Sequence, residues 1–486
     1  MPRTQVCATV AAAGIDALRR ARDAASRVAD LVELRIDHLD RPDVRGALEG
    51  RSGRVLVTCR PAWEGGGFAG AEDERLGLLE QALDLGAEYV DVEWRAGDRA
   101  RDLVRRRQGR GIVLSLHDYD GIPVDLAGVW RSMAASGAEV VKLAVTPRSL
   151  ADTLRLLTLG RQAAGSARVA LVGMGPAGLC TRILASRFHS CWTYAGNAVA
   201  AGQLPLSTML ELYGFRSIGD GTAVYGIVGR PIGHSVSPWI HNAAFQARGI
   251  DAVYVPFEAE SIEDFRRLAL ALDLRGASVT APFKEDVVPY LTSADGLTRQ
   301  SGAANTIRVE GDRWMGRNTD VEGFLRPLRG RVRLDNLRVA IVGAGGAARA
   351  VAAALSNTGA VVSVHARRAE AAAAVARIAG GRVGERGPRA GEWDLLVNAT
   401  PVGTSPGTEA LPVDPACLRG GIVYDLVYNP PMTALRREAE ARGCESIGGL
   451  EMLVAQAAAQ FEWWTGVPAP VDVMREAAER ALGARN

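Results

Sequence analysis

Val169-Ala-Leu-Val-Gly173-Met-Gly175-Pro-Ala-Gly178 is an apolar strand candidate that runs into a complete G-x-G-x-x-G. Two folds of the first half of the chain could contain it. As a dinucleotide turn it would open a Rossmann unit, which needs a second strand and helix to follow. As a barrel strand it needs only its place in a series, and the series is there. Short apolar runs precede it at Val6–Val10, Leu31–Ile36, Val55–Cys59, Tyr89–Val92, Ile112–Leu116 and Val140–Val145, and one follows at Cys191–Tyr194. Helical patterns separate these runs. Residues 169–172 fall where the seventh of eight strands is due, and no βαβ sequel follows residue 178. The first half therefore reads as a (β/α)8 barrel, with the glycines a decoy.

A second fingerprint has the opposite context. Gly343-Ala-Gly345-Gly346-Ala347-Ala348 follows the strand candidate Val339–Val342 and precedes a helical run. About 20 residues beyond the fingerprint, where an acid would hold the ribose of NAD, the strand Val361–Val364 ends in His365-Ala-Arg367-Arg368. Two arginines there suit the additional 2′-phosphate of NADP. A solvated strand end is the plainer reading of the pair, and their place opposite the fingerprint disfavours it. Gly343 is expected to make the tight bend, Gly345 to admit the pyrophosphate, and the helix from Gly346 to offer free N–H groups to it.

The fold class is thus α/β: an N-terminal TIM barrel, then an α/β substrate domain, then a Rossmann NADP-binding domain. The boundaries read as 1–216 for the barrel, 223–322 with 448–486 for the substrate domain, and 323–447 for the Rossmann domain. Phe215–Thr222, polar and glycine-bearing, reads as the linker. The 486 residues suffice for about three domains.

Composition excludes much else. The net charge of +2 gives no reason to expect nucleic acid or an anionic membrane, and no apolar run is long enough to span a bilayer. The N-terminus resembles neither a signal nor a transit peptide, and the six cysteines are scattered, so a reducing cytoplasm is expected. Neither cysteine nor histidine spacing suggests a metal. Oligomerisation is left open.

One count stands out. Of the 57 lysines and arginines, only Lys142 and Lys284 are lysine. Compositional drift explains the arginines and leaves the two exceptions open. An amine can form a Schiff base or lose its proton, which a guanidinium cannot. Lys142 lies in Val-Val-Lys-Leu-Ala-Val, an apolar barrel strand where a lysine must be paired, neutral, reacting or snorkelling. The preceding strand ends Ser115-Leu-His117-Asp118. Glu33-Leu-Arg35-Ile-Asp37 alternates, which would place its three polar side chains on one face. Thr58-Cys-Arg60 ends another strand, with Glu64 close behind.

These motifs resemble, in order and over the whole barrel, a type I 3-dehydroquinate dehydratase: E-L-R-I-D (33–37), T-C-R-P-A-W-E (58–64), S-L-H-D (115–118), V-V-K-L-A-V (140–145) and M-G-P-A-G-L-C-T-R (174–182). The resemblance implies that Lys142 forms an imine with the ring ketone of 3-dehydroquinate. His117 would move the proton, Glu64 would orient His117, and Arg182 would bind the carboxylate. Glu33, Arg35 and Arg60 would hold the hydroxyls. Where that family's lid usually reads S-A-P-G-Q, this chain has Val199-Ala-Ala-Gly-Gln203, which keeps the glutamine as a substrate contact.

Lys284 ends Ala277-Ser-Val-Thr280-Ala-Pro-Phe-Lys284, downstream of Gly233-His-Ser235-Val-Ser237-Pro238. Ser237 reads as a helix N-cap with Pro238 as first helical residue. Asn305 and Asp320 follow. With Asn398–Gly403, Tyr424–Pro430 and Gly449–Gln456, residues 223–486 resemble shikimate dehydrogenase. That resemblance implies an acid/base pair of Lys284 and Asp320. It also implies carboxylate contacts from Ser235 and Ser237, hydroxyl contacts from Thr280, Asn305 and Gln456, and Tyr428 nearby. Gly343, Gly345, Gly346, Ala347, Arg367, Arg368, Thr400, Gly449 and Met452 would bind NADP(H). The whole chain resembles a fusion of the two enzymes. It would dehydrate 3-dehydroquinate to 3-dehydroshikimate and reduce that to shikimate with NADPH, these small molecules being the expected partners, with neither nucleic acid nor membrane among them. The rivals are an NAD-dependent quinate/shikimate dehydrogenase working in degradation and a non-catalytic regulator on the same folds. The second should have lost its reactive groups, which are all present.

Overall fold

The computed structural model describes residues 3–196 and 202–483. The chain divides into two compact units, residues 1–223 with 255–272, and residues 224–254 with 273–486.

The first unit holds eight strands: β1 (Gln5–Ala11), β2 (Leu31–Arg35), β3 (Val55–Thr58), β4 (Tyr89–Glu93), β5 (Ile112–Asp118), β6 (Val140–Val145), β7 (Arg168–Gly173) and β8 (Trp192–Gly196). They form one sheet in the order β7-β6-β5-β4-β3-β2-β1-β8, with every registered pair parallel. The ring closes where Val169 bridges Ser190 and the Cys191 N–H donates to the Val169 carbonyl at 2.8 Å. All eight expected strands are present.

Inside the ring, side-chain chemistry changes two residues at a time, as strand periodicity requires. Leu31, Tyr89 and Val140 join Leu56, Val113 and Trp192 in an apolar plug. Two residues further along the same strands stand Glu33, Asp91 and Lys142, with Thr58 and Ser115 beside them. The plug excludes water beneath a polar layer that opens at the C-terminal rim. The decoy glycines serve packing. A Cβ on Gly173 would lie 2.7 Å from the Gly178 Cα, so the strand and the following helix (Gly175–Ile183) meet backbone to backbone.

Two further sheets follow in the chain. The first contains β9 (Ala223–Gly229), β10 (Ala252–Glu258), β11 (Leu274–Val279), β12 (Ser293–Ala294), β13 (Thr306–Glu310) and β14 (Arg313–Arg317), ordered β10-β9-β11-β13-β14-β12, with β13 antiparallel to both its neighbours. The second contains β15 (Arg338–Val342), β16 (Val361–His365), β17 (Arg382–Val383), β18 (Leu395–Asn398), β19 (Ile422–Asp425) and β20 (Glu445–Gly448). Its order, β17-β16-β15-β18-β19-β20, is all parallel and is the doubly wound Rossmann arrangement. No described helix is long and apolar enough to cross a membrane.

Four sequence readings need correction or limits. β2 ends at Arg35, and Asp37 lies in a 3-10 turn (Ile36–His38), so the alternation stops one step short of it. Ser237 is the first helical residue and not the N-cap. Val236 holds the cap position, and the Ser235 hydroxyl accepts from the Ser237 N–H at 3.2 Å. The segment expected as a linker is anchored, because Phe215 and Ile218 are buried and Arg216 pairs with Asp30 at 3.1 Å. Val199–Ala201 of the expected lid lie outside the described residues.

Candidate active sites

The barrel mouth encloses a cavity of about 60 Å³ lined by Glu33, Arg35, Arg60, His117, Lys142, Arg182 and Gln203. Of the residues expected in this site, only Glu64 stands off the lining, and it reaches in through His117. Glu64 Oε1 accepts from the His117 backbone N–H at 2.9 Å and faces its ring Nδ1 at 3.0 Å. Burial lifts the Glu64 carboxyl to about 7. Burial, with Arg60 and Lys142 nearby, holds His117 well below its ordinary value, so the imidazole is neutral.

Lys142 Nζ is 2.9 Å from Asp91 Oδ2 and 4.4 Å from the Tyr194 ring centroid. A carboxylate and an aromatic face are both complementary to a cationic partner. Asp91 also holds Arg60 at 3.0 Å and accepts from the Ser115 hydroxyl at 2.5 Å, while Glu93 binds Arg60 at 2.6 Å and Arg75 at 2.5 Å. Burial alone would raise Asp91. Arg60 and Lys142 overcome it and hold the carboxyl below the ordinary carboxylate range. The resemblance assigns Arg60 to substrate hydroxyls, yet much of its donor capacity is committed to this acid pair and to Ser115. Arg35 donates through Nε and one Nη to the two oxygens of Asp37 at 2.9 and 2.7 Å, and Glu33 accepts from Thr9 and Thr58 at 2.7 and 2.8 Å. Removing one member of such a buried charge network costs about 3–5 kcal/mol, because its partner is left uncompensated. Gln203 donates to Thr9 at 3.0 Å. Burial brings Arg182 down to about 10, marking a desolvated cation at the cavity wall.

Asp91, Glu93 and Tyr194 escaped the sequence reading. Tyr-Val-Asp-Val-Glu (89–93) does alternate acids within an apolar strand, a signal as strong as the one read in Glu33-Leu-Arg35. Tyr194 left no such signal, because an aromatic inside a strand is ordinary core.

The second unit has a cavity of about 220 Å³ lined by Ser235, Ser237, Thr280, Lys284, Asn305, Asp320, Tyr428 and Gln456. All eight had been expected together, from segments up to 221 residues apart. Lys284 Nζ binds Asp320 Oδ2 at 2.5 Å, and Asn305 Nδ2 donates to the other carboxylate oxygen at 2.7 Å. The Asn305 amide is fixed from behind, since its Oδ1 accepts from the Thr319 N–H at 2.8 Å and the Thr306 hydroxyl at 2.7 Å. Behind this wall lies a chain unread from sequence. The Tyr254 hydroxyl donates to Ser278 at 2.6 Å, Ser278 donates to Gln460 at 2.8 Å, and Gln460 Nε2 donates to Thr306 at 3.0 Å. His241, stacked on Tyr254 with centroids 4.4 Å apart, is pushed by burial to about 3 and is a neutral core histidine.

A third cleft, of about 720 Å³, is lined by Gly343, Gly345, Arg367, Arg368, Thr400 and Arg386. Gly343 has φ +117, and a Cβ there would meet the Ala399 carbonyl at 2.8 Å. The helix Gly346–Leu355 follows the cleft residue Gly345 and has no side-chain cap, so its first N–H groups are not taken up by a capping side chain. Uncapped amides and arginines suit a phosphorylated dinucleotide. Ala347, Gly449 and Met452, expected with the cofactor, line the Lys284 cavity instead, and Gly346 lies next to the Lys284 side chain. These residues mark where the cleft and the substrate cavity adjoin.

Residues 6–220 match the family model for type I 3-dehydroquinase. Residues 227–307 match the shikimate dehydrogenase substrate binding domain, and 449–479 the shikimate 5′-dehydrogenase C-terminal domain. The chain is 34% identical to the chloroplastic bifunctional 3-dehydroquinate dehydratase/shikimate dehydrogenase of Arabidopsis thaliana, over 96% of this chain and 83% of that one. It is 42% identical to a shikimate dehydrogenase (NADP(+)) of Moorella thermoacetica, over 54% of this chain and 95% of the relative. A crystal structure of the Thermus thermophilus shikimate 5-dehydrogenase, in complex with NADP(H) and shikimate, superposes with a TM-score of 0.50. It is 36% identical and covers 54% of this chain and 100% of that one. With both halves matched, and a fused relative aligned across nearly the full length, the chain belongs to the bifunctional 3-dehydroquinate dehydratase/shikimate dehydrogenase family.

Proposed function

We propose that the barrel dehydrates 3-dehydroquinate through a Schiff base on Lys142 and that the second unit reduces the resulting 3-dehydroshikimate with NADPH. One observation carries the reading: each of the chain's two lysines lies in its own cavity, 2.9 or 2.5 Å from a carboxylate. In this reading the functional domains remain 1–216, 223–322 with 448–486, and 323–447. The compartment is a reducing cytoplasm, supported by six cysteines all free.

In the barrel, the Lys142 amine attacks the ring ketone, and loss of water leaves an iminium whose positive charge sits where Asp91 already pairs with the ammonium. The charge of the cluster is the same before and after, so little reorganisation is needed. The iminium draws electrons from the neighbouring carbon. His117 Nε2 takes the proton released there and returns it to the departing hydroxyl. Hydrolysis of the product iminium frees Lys142. Arg182 is the desolvated cation for the substrate carboxylate, and Arg35, Glu33 and Gln203 face the hydroxyls.

Ionised Glu64 accepts the Nδ1 proton of His117 and leaves Nε2 free as the base. Protonated Glu64 can donate to Nδ1 and force the proton onto Nε2, which blocks catalysis. Because burial raises Glu64 to about 7, dehydratase kcat/KM should climb nearly tenfold per unit below about pH 7 and level off above it. Glu64→Gln should remove that inflection and lower the plateau by about 10²-fold. A flat wild-type profile between about pH 5.5 and 8.5 would contradict the assignment.

In the second unit, bound NADPH supplies the hydride. Lys284 donates the proton that the new alkoxide requires, and Asp320 holds the ammonium in place. Ser235 and Ser237 face the carboxylate, while Thr280, Asn305, Gln456 and Tyr428 surround the ring. The cofactor cleft carries arginines where an NAD site would carry an acid, so kcat/KM with NADPH should exceed that with NADH by at least about tenfold. The purified chain, given 3-dehydroquinate and NADPH, should form shikimate with loss of absorbance from the reduced cofactor. A preference for NADH, or for quinate over shikimate, would favour the degradative alternative.

A further inference from the structure

The arginines of the cofactor cleft number three. Arg367 and Arg368 follow β16, whereas Arg386 comes from the loop after β17, about twenty residues on in sequence. All three are exposed, and none of them forms an ion pair among the described residues. The adjacent acid, Glu385, is turned to Arg389 at 2.6 Å. Three guanidiniums facing one cleft without a carboxylate repel one another, an arrangement that a polyanionic ligand relieves.

The loop is pinned to the end of β16. The Gly384 N–H donates to the Val364 carbonyl at 2.9 Å, and His365 Nδ1 donates to the Glu385 carbonyl at 2.9 Å. The Ser363 hydroxyl lies 3.0 Å from the other ring nitrogen, Nε2. Gly384 lies so close to the ring that a Cβ there would meet His365 Cε1 at 2.2 Å. Burial holds the His365 pKa down. The ring is thus a neutral tether, with both nitrogens engaged, and the phosphate contacts fall to the arginines around it.

We propose that Arg386, held at the cleft by the His365 tether, joins Arg367 and Arg368 in gripping the adenosine 2′-phosphate and determines the preference for NADP over NAD. A phosphate monoester carries nearly two charges and three acceptor oxygens, enough for more than the two neighbouring arginines. This deepens the NADPH reading above and rests on it.

Calorimetric titration of the full chain with 2′,5′-ADP and with ADP separates the two propositions. Arg386→Ala should weaken 2′,5′-ADP about tenfold and leave ADP within about twofold, while Arg386→Lys recovers part of the loss. The kcat/KM ratio of NADPH to NADH should fall in parallel. His365→Ala should show the same selective loss and add little to Arg386→Ala. A wild-type chain that binds ADP as tightly as 2′,5′-ADP would overturn the NADP reading itself. A wild-type preference for 2′,5′-ADP that survives Arg386→Ala would overturn this inference alone, as would equal weakening of both ligands. An unaffected His365→Ala variant would remove the tether from it.

Discussion

Lys142→Arg abolishes dehydration of 3-dehydroquinate, lowering kcat by at least about 10⁴-fold, although it preserves the charge. The guanidinium can pair with Asp91 and lie over Tyr194 as the ammonium does. It cannot shed a proton and attack a ketone. Lys142→Met should be equally inactive, which separates loss of the nucleophile from loss of the charge. Either variant leaves Asp91 paired with Arg60 at 3.0 Å, so no buried carboxylate is stranded. Shikimate dehydrogenase activity on the same chain reports folding and concentration. Borohydride trapping with 3-dehydroquinate gives the direct readout. Wild type should gain one reduced adduct on the peptide containing Lys142 and none on that containing Lys284. An unlabelled Lys142 peptide, or an arginine variant with more than about 1% of wild-type activity, would falsify the imine mechanism.

How much of this was legible beforehand depended on whether a residue's role leaves a trace in its own neighbourhood. The eight barrel strands were readable because each is a short apolar run at regular spacing, and the Rossmann unit because its fingerprint sits between a strand and a helix. Lys142, His117 and Glu33 were readable as polar residues inside apolar strands. Asp91 and Glu93 carried that same trace, Asp91 within the apolar run Tyr89–Val92 and Glu93 just beyond it, but their meaning lies in Arg60 and Arg75 on other segments. Asp37 failed the other way. Its sequence alternation continued after the backbone had left the strand, and it ended as the clamp on Arg35. Ser237 had the composition of a cap, yet Val236 takes the cap position and Ser237 lines the cavity. Arg386 and His365 were beyond reach for a physical reason. An arginine in a loop of an arginine-rich chain is unremarkable until a tether between His365 of β16 and the loop after β17 brings it into the same cleft as Arg367.

At the second site, Lys284→Met should lower shikimate oxidation and dehydroshikimate reduction by about 10²–10⁴-fold in kcat, with KM for shikimate changing far less. The reason for the split is geometric. The ring is surrounded by Ser235, Ser237, Thr280, Asn305 and Gln456, which the variant leaves in place. The ammonium is needed chiefly when the carbonyl oxygen becomes an alkoxide, so its loss falls on the transition state. Lys284→Arg should be intermediate, because a guanidinium still stabilises the alkoxide but gives up its proton reluctantly. That ordering differs from position 142, where arginine and methionine fail alike, and the contrast distinguishes a proton donor from a nucleophile. Asp320 acts through the lysine. Its two oxygens are taken by Lys284 at 2.5 Å and Asn305 at 2.7 Å, and Asn305 is itself locked by Thr306 and Thr319. Asp320→Asn should therefore cost much of what Lys284→Met costs, and the double variant should be hardly worse than the poorer single one. Fully additive losses would mean that lysine and aspartate act independently, leaving the 2.5 Å contact without a catalytic role. The dehydratase, measured on the same samples, should stay at wild-type rate throughout. A fall there would mark a folding defect in place of lost chemistry.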